Sequence, residues 1–321
     1  MTKFKDWQPR GVIPAVLLPF KPDFSIDAAA YRQHLRDVGG IAGVRALTVN
    51  GHSCEVHALN LDEQREVMRL TMDEIGDRLP IVGGVYADGS LEAARIARQA
   101  EADGASALLI FPPQSMSMGG QLRPEMAVAH FSAVAAATSL PLICFNYPLA
   151  GGLGYPHETL LRLVEAVPSI HAIKDWSGDP MQHERNIRAL QRLPRPVTVL
   201  TTHSAWLLSS LVLGCDGLLS GAGSVIADLQ VALFEAVRAN DLARARAVND
   251  RIFPIAQAFY APPFLDMHNR MKEALHLLGR LPPAVVRPPL VKLPPHEIER
   301  LKQAIAAAGL DRAEQAALAA E

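Results

Sequence analysis

Lysine is scarce in this chain, and one lysine stands apart. Of 31 basic residues 24 are arginine, and Lys174 is the only lysine between Lys21 and Lys272. Lysine differs from arginine in one chemically decisive way: its amine can lose a proton when desolvated, whereas a guanidinium stays charged. A neutral amine attacks a carbonyl, and the iminium that results is an electron sink for carbon–carbon cleavage or elimination. Lys174 lies near the end of the apolar run SIHAIKDW (169–176). With two-residue alternation Ile170, Ala172 and Lys174 share one face, and His171 and Ile173 share the other. Small Ala172 leaves room for a long side chain directed inward, and His171 is expected to be a satisfied core residue on the helix side. The same position also suits a strand-end lysine whose ammonium snorkels to water.

Other chemistries find less support. Cys54, Cys144 and Cys215 are scattered and odd in number, without zinc-site spacing, which fits reduced thiols in a cytoplasm. The 11 histidines show no spacing suited to a metal-dependent aldolase, so no metal is expected. SGAGS (220–224) precedes a helical pattern, a place where barrels bind phosphate.

The elements that must position Lys174 are legible as alternation. Eight short apolar runs begin at residues 11, 44, 80, 107, 141, 169, 197 and 215, rich in Val, Ile, Leu and Ala. They lack polar alternation, as parallel strands buried on both faces do. Between them lie amphipathic stretches with readable ends. Asn60 and Glu63 have capping-box spacing, Ser90 opens a pattern that stops at Gly104, and Pro124 suits a first helical turn. Eight strand–helix units within residues 1–240 predict a (β/α)₈ TIM barrel. An open doubly wound sheet is the rival, but the first turn lacks the glycine-rich sequence that usually marks it. Residues 241–321 carry helical patterns and a proline-rich connector (281–295), predicting a C-terminal helical extension.

Composition narrows the partners. With 49% hydrophobic residues and a net charge of −2, the chain can bury a large core and offers no field for nucleic acid. No apolar run reaches the roughly 18 residues of a membrane span, and no leader is recognised, so a cytoplasmic location is expected. A helical appendage often covers apolar surface at a subunit contact, so a homo-oligomer, tetramer or dimer, is expected.

Several ordered motifs resemble the family of dihydrodipicolinate synthase and N-acetylneuraminate lyase. These are IPAVLLPF-KPDFSID at the first strand, NGHSCE (50–55), LPLICFNYP (140–148), IKDWSGD (173–179) and LGCDGLLSGAGSV (213–225). The resemblance runs end to end and implies a Schiff-base lyase on a TIM barrel, with Lys174 forming the imine. It implies that His52 and Ser53 hold the substrate carboxylate and that Leu219 approaches the 2-oxo acid. It implies no organic cofactor, and in such a family the glycines of SGAGS admit substrate rather than phosphate.

The chain departs from the family at the residues that set specificity. The proton-shuttling tyrosine of strand five is Phe145, and a phenyl ring carries no proton. Paired tyrosines after strand four are replaced by Pro113 and Gln114, and the synthase arginine aligns with Ala150. Tyr147, Tyr86 and His203 are candidates for the missing relay, and Glu55 is expected to anchor its loop. The loop 111–124 is either a mobile pocket wall or an apolar loop packed on its neighbour. The expected substrate is a small 2-oxo acid such as pyruvate or a 2-keto-3-deoxy sugar acid, cleaved or dehydrated. The alternatives are 4-hydroxy-tetrahydrodipicolinate synthase and a catalytically silent sensor of a 2-oxo acid.

Overall fold

A computed structural model describes residue 4 and residues 7–310 of the chain. All eight predicted strands are present: β1 (Gly11–Pro14), β2 (Leu47–Val49), β3 (Ile81–Val85), β4 (Ala107–Ile110), β5 (Leu142–Asn146), β6 (Ile170–Asp175), β7 (Thr198–Thr201) and β8 (Gly217–Ser220). Their pairing is parallel throughout, in the order β1-β8-β7-β6-β5-β4-β3-β2. Parallel bridges Val12↔Val44 and Ala15↔Thr48 bring the two ends together, so the sheet closes into a (β/α)₈ barrel.

Helices cover the outside. They are α1 (Ala28–Gly39), α2 (Leu61–Ile75), α3 (Ser90–Ala102), α4 (Pro124–Ala135), α5 (His157–Ala166), α6 (Pro180–Leu190), α7 (Leu207–Val212) and α8 (Gly223–Arg238). The expected capping box starts α2: Glu63 N–H donates to Asn60 Oδ1 and Asn60 N–H to Glu63 Oε2, both at 2.9 Å. Such a cap is worth about 1 kcal/mol over alanine. Three further helices follow the barrel: α9 (Leu242–Phe259), α10 (Met267–Leu277) and α11 (Pro295–Ala307). Residues 311–321 of the expected extension lie outside the described residues. Among the described residues no helix is long and apolar enough to cross a membrane.

Two apolar layers flank the sheet. One lies between strands and helices; the other fills the barrel with Ile13, Leu109, Ile143, Ala172, Leu200 and Leu219. The alternation expected for β6 holds only from Ala172 onward. Leu142 pairs with Ile170 but Ile143 pairs with Ala172, a one-residue shift between β5 and β6. That extra residue turns Ile170 into the helix-side layer. His171 is correspondingly not a core residue: it is half-buried, with Nδ1 3.1 Å from Gln8 Oε1.

Candidate active site

Lys174 sits near the carboxyl end of β6, in register with Phe145 of β5 and Leu200 of β7. Ala172 beneath it is fully buried, and the lysine side chain turns into the barrel mouth. Only 7% of the residue is exposed, and Nζ lies 4.0 Å from the centroid of the Phe145 ring. Desolvation lowers the amine from 10.5 to about 7, so half of it is nucleophilic near neutrality.

Facing the lysine is the turn that follows β2. Asn50 and Glu55 adopt positive φ (53° and 54°) on either side of a 3-10 turn, His52–Cys54. The chain can cross here because residue 84 is glycine; a Cβ there would lie 1.9 Å from the Asn50 carbonyl oxygen. Gly51, His52, Ser53, Phe145 and Lys174 line one pocket. Ser53 is buried and its Oγ has no partner among the described residues. The first N–H groups of such a turn have no acceptor within it, which suits an anion.

His52 connects this turn to β5. Its Nε2 is hydrogen-bonded to the Tyr147 hydroxyl. Burial, then the positive charge of Lys174, lowers the imidazole to about 3, so it is neutral. Burial, then Tyr86, holds the Tyr147 phenol well above 10, so it keeps its proton. The Tyr147 ring packs 4.4 Å from Phe145, placing the His52–Tyr147 pair beside the ring that underlies Lys174.

A sequence model of the Dihydrodipicolinate synthetase family matches residues 8–308. The chain belongs to that family. It is thereby an enzyme of the class I type, a family of lyases and synthases that work through a lysine Schiff base. It is 30% identical over 296 residues to a 4-hydroxy-tetrahydrodipicolinate synthase of Archaeoglobus fulgidus, covering 92% of this chain and 96% of that one. Among solved structures, the 4-hydroxy-tetrahydrodipicolinate synthase of Methylacidiphilum fumariolicum SolV superposes with TM-score 0.84 at 26% identity, covering 95% of this chain and 97% of that one. A family member from an E. coli K12 prophage, solved with pyruvate, is alike in fold (TM-score 0.85, 24% identity, 94% and 99% covered).

Within this family frame, five residues named from the sequence fall outside the pocket lining: Gln114, His203, Leu219, Tyr86 and Tyr147, the last joined to it through its hydrogen bond to His52. Gln114 is exposed at the start of a 3-10 turn (Gln114–Met118), its N–H donating to Asp88 Oδ1 at 2.7 Å. His203 turns outward and stacks on Trp206 at 4.1 Å. Its Nε2 is 3.9 Å from Asp175 Oδ1, because Asp175 alternates with Lys174 and faces the helices. Leu219 fills the barrel interior opposite Ile13, below the pocket. Tyr86 reaches the site only through rings, its centroid 6.2 Å from His52 and 5.5 Å from Phe111.

Behind the lysine the fold gathers residues whose spacing hid them. Asp175 Oδ2 takes hydrogen bonds at 3.0 Å from His183 and from Asn186 Nδ2, and Cys215 Sγ lies 3.2 Å from His183 Nε2. Asp175, His183 and His203 hold their ligand-type atoms within 4.8 Å of one another, a grouping the sequence reading passed over. The hydrogen bonds that hold the Asp175 carboxylate make this a buried brace under β6.

The sequence reading also missed a wall of the pocket. Trp176, Thr202, Gly221, Tyr260, Met267 and His268 line it together with Lys174. The last three come from the helical extension, whose α10 begins over the barrel mouth. Gly221 lets that helix approach: a Cβ there would meet His268 Nε2 at 2.9 Å. Glu55 ties the His52–Cys54 turn to the same helix. It pairs with buried Lys272 and accepts from Arg287 N–H at 3.0 Å, while Lys272 Nζ donates to the Val285 carbonyl at 3.0 Å. Glu55 thus anchors its loop, as expected, and does so through the extension.

Proposed function

We propose that the protein cleaves or dehydrates a small 2-oxo acid through an imine on Lys174. The observation that carries this reading is the buried amine, near pKa 7, in one pocket with the His52–Ser53 turn. The amine attacks C2 of the substrate and water leaves, giving an iminium. The N–H groups of His52 and Ser53 and the Ser53 hydroxyl hold the carboxylate. In the retro-aldol version the C4 hydroxyl gives its proton to Tyr147 as the phenol passes its own to His52. The C3–C4 bond breaks, its electron pair enters the iminium, and an aldehyde departs. The proton held transiently by His52 returns to protonate the enamine, and hydrolysis releases pyruvate. Tyr147 therefore takes the place of the hydroxyl that Phe145 lacks, and Tyr86 is an accessory wall. No organic cofactor enters this scheme.

The named relatives favour a second reading, 4-hydroxy-tetrahydrodipicolinate synthase. That reaction grips a distal carboxylate with a cation. Ala150, where the arginine aligns, is exposed in a 3-10 turn (Leu149–Gly151), and among the described residues Lys174 is the only lysine or arginine lining the pocket. Two rate measurements separate the readings: pyruvate released from 4-hydroxy-2-oxo acids, and pyruvate consumed with aspartate semialdehyde. Release faster than consumption supports the lyase. Faster consumption supports the synthase, and an imine without either reaction marks a binder.

The lyase is further proposed to work as a cytoplasmic homo-oligomer, a tetramer or dimer. Exposed Met118 (87%) and Leu122 (79%) in the loop after β4 offer apolar surface for a second copy. Light scattering at working concentration checks the assembly; a monomer refutes it.

A further inference from the structure

The pocket around Lys174 is asymmetric. On the β3–β5 side, rings fill the space: His52 sits 4.9 Å from Phe111, 6.0 Å from Phe145 and 6.0 Å from Tyr147. The open side lies toward β6–β8 and the helical extension, where Trp176, Thr202, Gly221, Tyr260, Met267 and His268 form the wall. The pocket is open to solvent at its mouth.

This wall carries no carboxylate, guanidinium or ammonium group; its polar atoms are those of Trp176, Thr202, Tyr260 and His268. Thr202 and Tyr260 supply the hydroxyls of the wall. Burial first, with His52 and Lys174 close by, holds His268 neutral. At the rim, Trp176 packs edge-on against Phe264 (6.3 Å, 88°) and against Tyr147 (5.7 Å, 60°). Phe264 and Leu265 extend this apolar surface, exposed by 51% and 62%. A carboxylate tail would meet no cation on this wall. An aromatic ring would find edges and faces at the distances that favour ring pairs.

We propose that the 2-oxo acid cleaved by this enzyme carries an uncharged aromatic group at its distal end, seated between Trp176, Met267 and His268. The proposal rests on Lys174 as the imine-forming residue. For a 4-hydroxy-4-aryl-2-oxobutanoate the steps balance without a redox partner. The C3–C4 bond breaks, its electron pair forms the enamine, and the C4 oxygen gives up its proton as the aryl aldehyde leaves. Protonation of the enamine and addition of water then release pyruvate and restore the amine.

The test uses full-length protein and borohydride trapping, with adducts at Lys174 quantified by mass spectrometry. Four probes are titrated: pyruvate, 4-phenyl-2-oxobutanoate, 2-oxoglutarate and 2-keto-3-deoxygluconate. The expected half-saturating concentration for 4-phenyl-2-oxobutanoate is at least tenfold below those of 2-oxoglutarate and 2-keto-3-deoxygluconate. Trp176→Ala should reduce the aryl preference, taken as a ratio to pyruvate in the same preparation, to about twofold or less. Trp176→Arg should turn it toward 2-oxoglutarate. Pyruvate trapping combined with equal or better trapping of the charged or hydroxylated acid overturns the aromatic tail and leaves the imine standing. Failure to trap pyruvate at all removes the imine reading and the tail with it.

Discussion

Replacing Lys174 with methionine should stabilise the fold. In the unfolded chain the amine titrates near 10.5, whereas burial in the barrel brings it to about 7. Each decade of that difference is worth ~1.36 kcal/mol. At pH 7 half of the folded molecules have lost the proton that unfolded chains still hold, and the cost of folding is about 4 kcal/mol. The sign follows from proton counts. Between pH 7 and 10.5 the unfolded chain binds more protons, so wild-type stability rises with pH. Below pH 7 the penalty is complete, and above 10.5 it is gone. Methionine is of similar length, is apolar, and can pack on Phe145 and Ala172. Lys174→Met should therefore raise Tm by several degrees at pH 6–7, and the gap to wild type should close by pH 10. Differential scanning calorimetry across that range measures it. A variant no more stable than wild type at pH 7, with a gap that ignores pH, refutes the sheltered amine.

Other expectations follow from neighbouring groups. Tyr147→Phe should keep imine trapping while slowing pyruvate release by about 10²–10⁴-fold, read as the ratio of the two rates. Glu55→Ala strands the Lys272 ammonium, 2% exposed, and should cost about 3–5 kcal/mol in urea unfolding. Glu55→Gln combined with Lys272→Met should recover most of that loss. Asp175 is held well below the ordinary carboxylate range by hydrogen bonds and charge from His183, against burial. Its stabilisation is present above pH 4 and fades as pH falls through the acid range. Asp175→Asn should therefore narrow the acid-induced drop in Tm below pH 4, measured by thermal melts.

Much of the architecture could be read locally because it is encoded locally. Doubly buried strands need unbroken apolar runs, and the ends of α2, α3 and α4 carry their own caps, so eight strands and these helices were visible. Lys174 was legible for a similar reason: a long polar side chain at the end of a buried run must go somewhere. What resisted reading depends on register and distance. The one-residue shift opposite Leu142 turns Ile170 outward, and nothing in SIHAIKDW announces it. His203 lies one residue beyond Thr202, and that step is the difference between the Asp175 brace and the pocket. Tyr260, Met267 and His268 come from a helical extension whose path over the mouth is set by long-range pairs such as Glu55–Lys272. Their sequence spacing to Lys174 carries no signal.

The claim that matters most concerns one nitrogen atom, and the pH dependence of its capture measures it. Protein mixed with pyruvate and borohydride should gain the mass of a reduced pyruvyl adduct on the peptide containing Lys174. The initial capture rate should reach half of its plateau near pH 7. An adduct absent from that peptide, or a rate still climbing beyond pH 9.5 as for a lysine in open water, would contradict it.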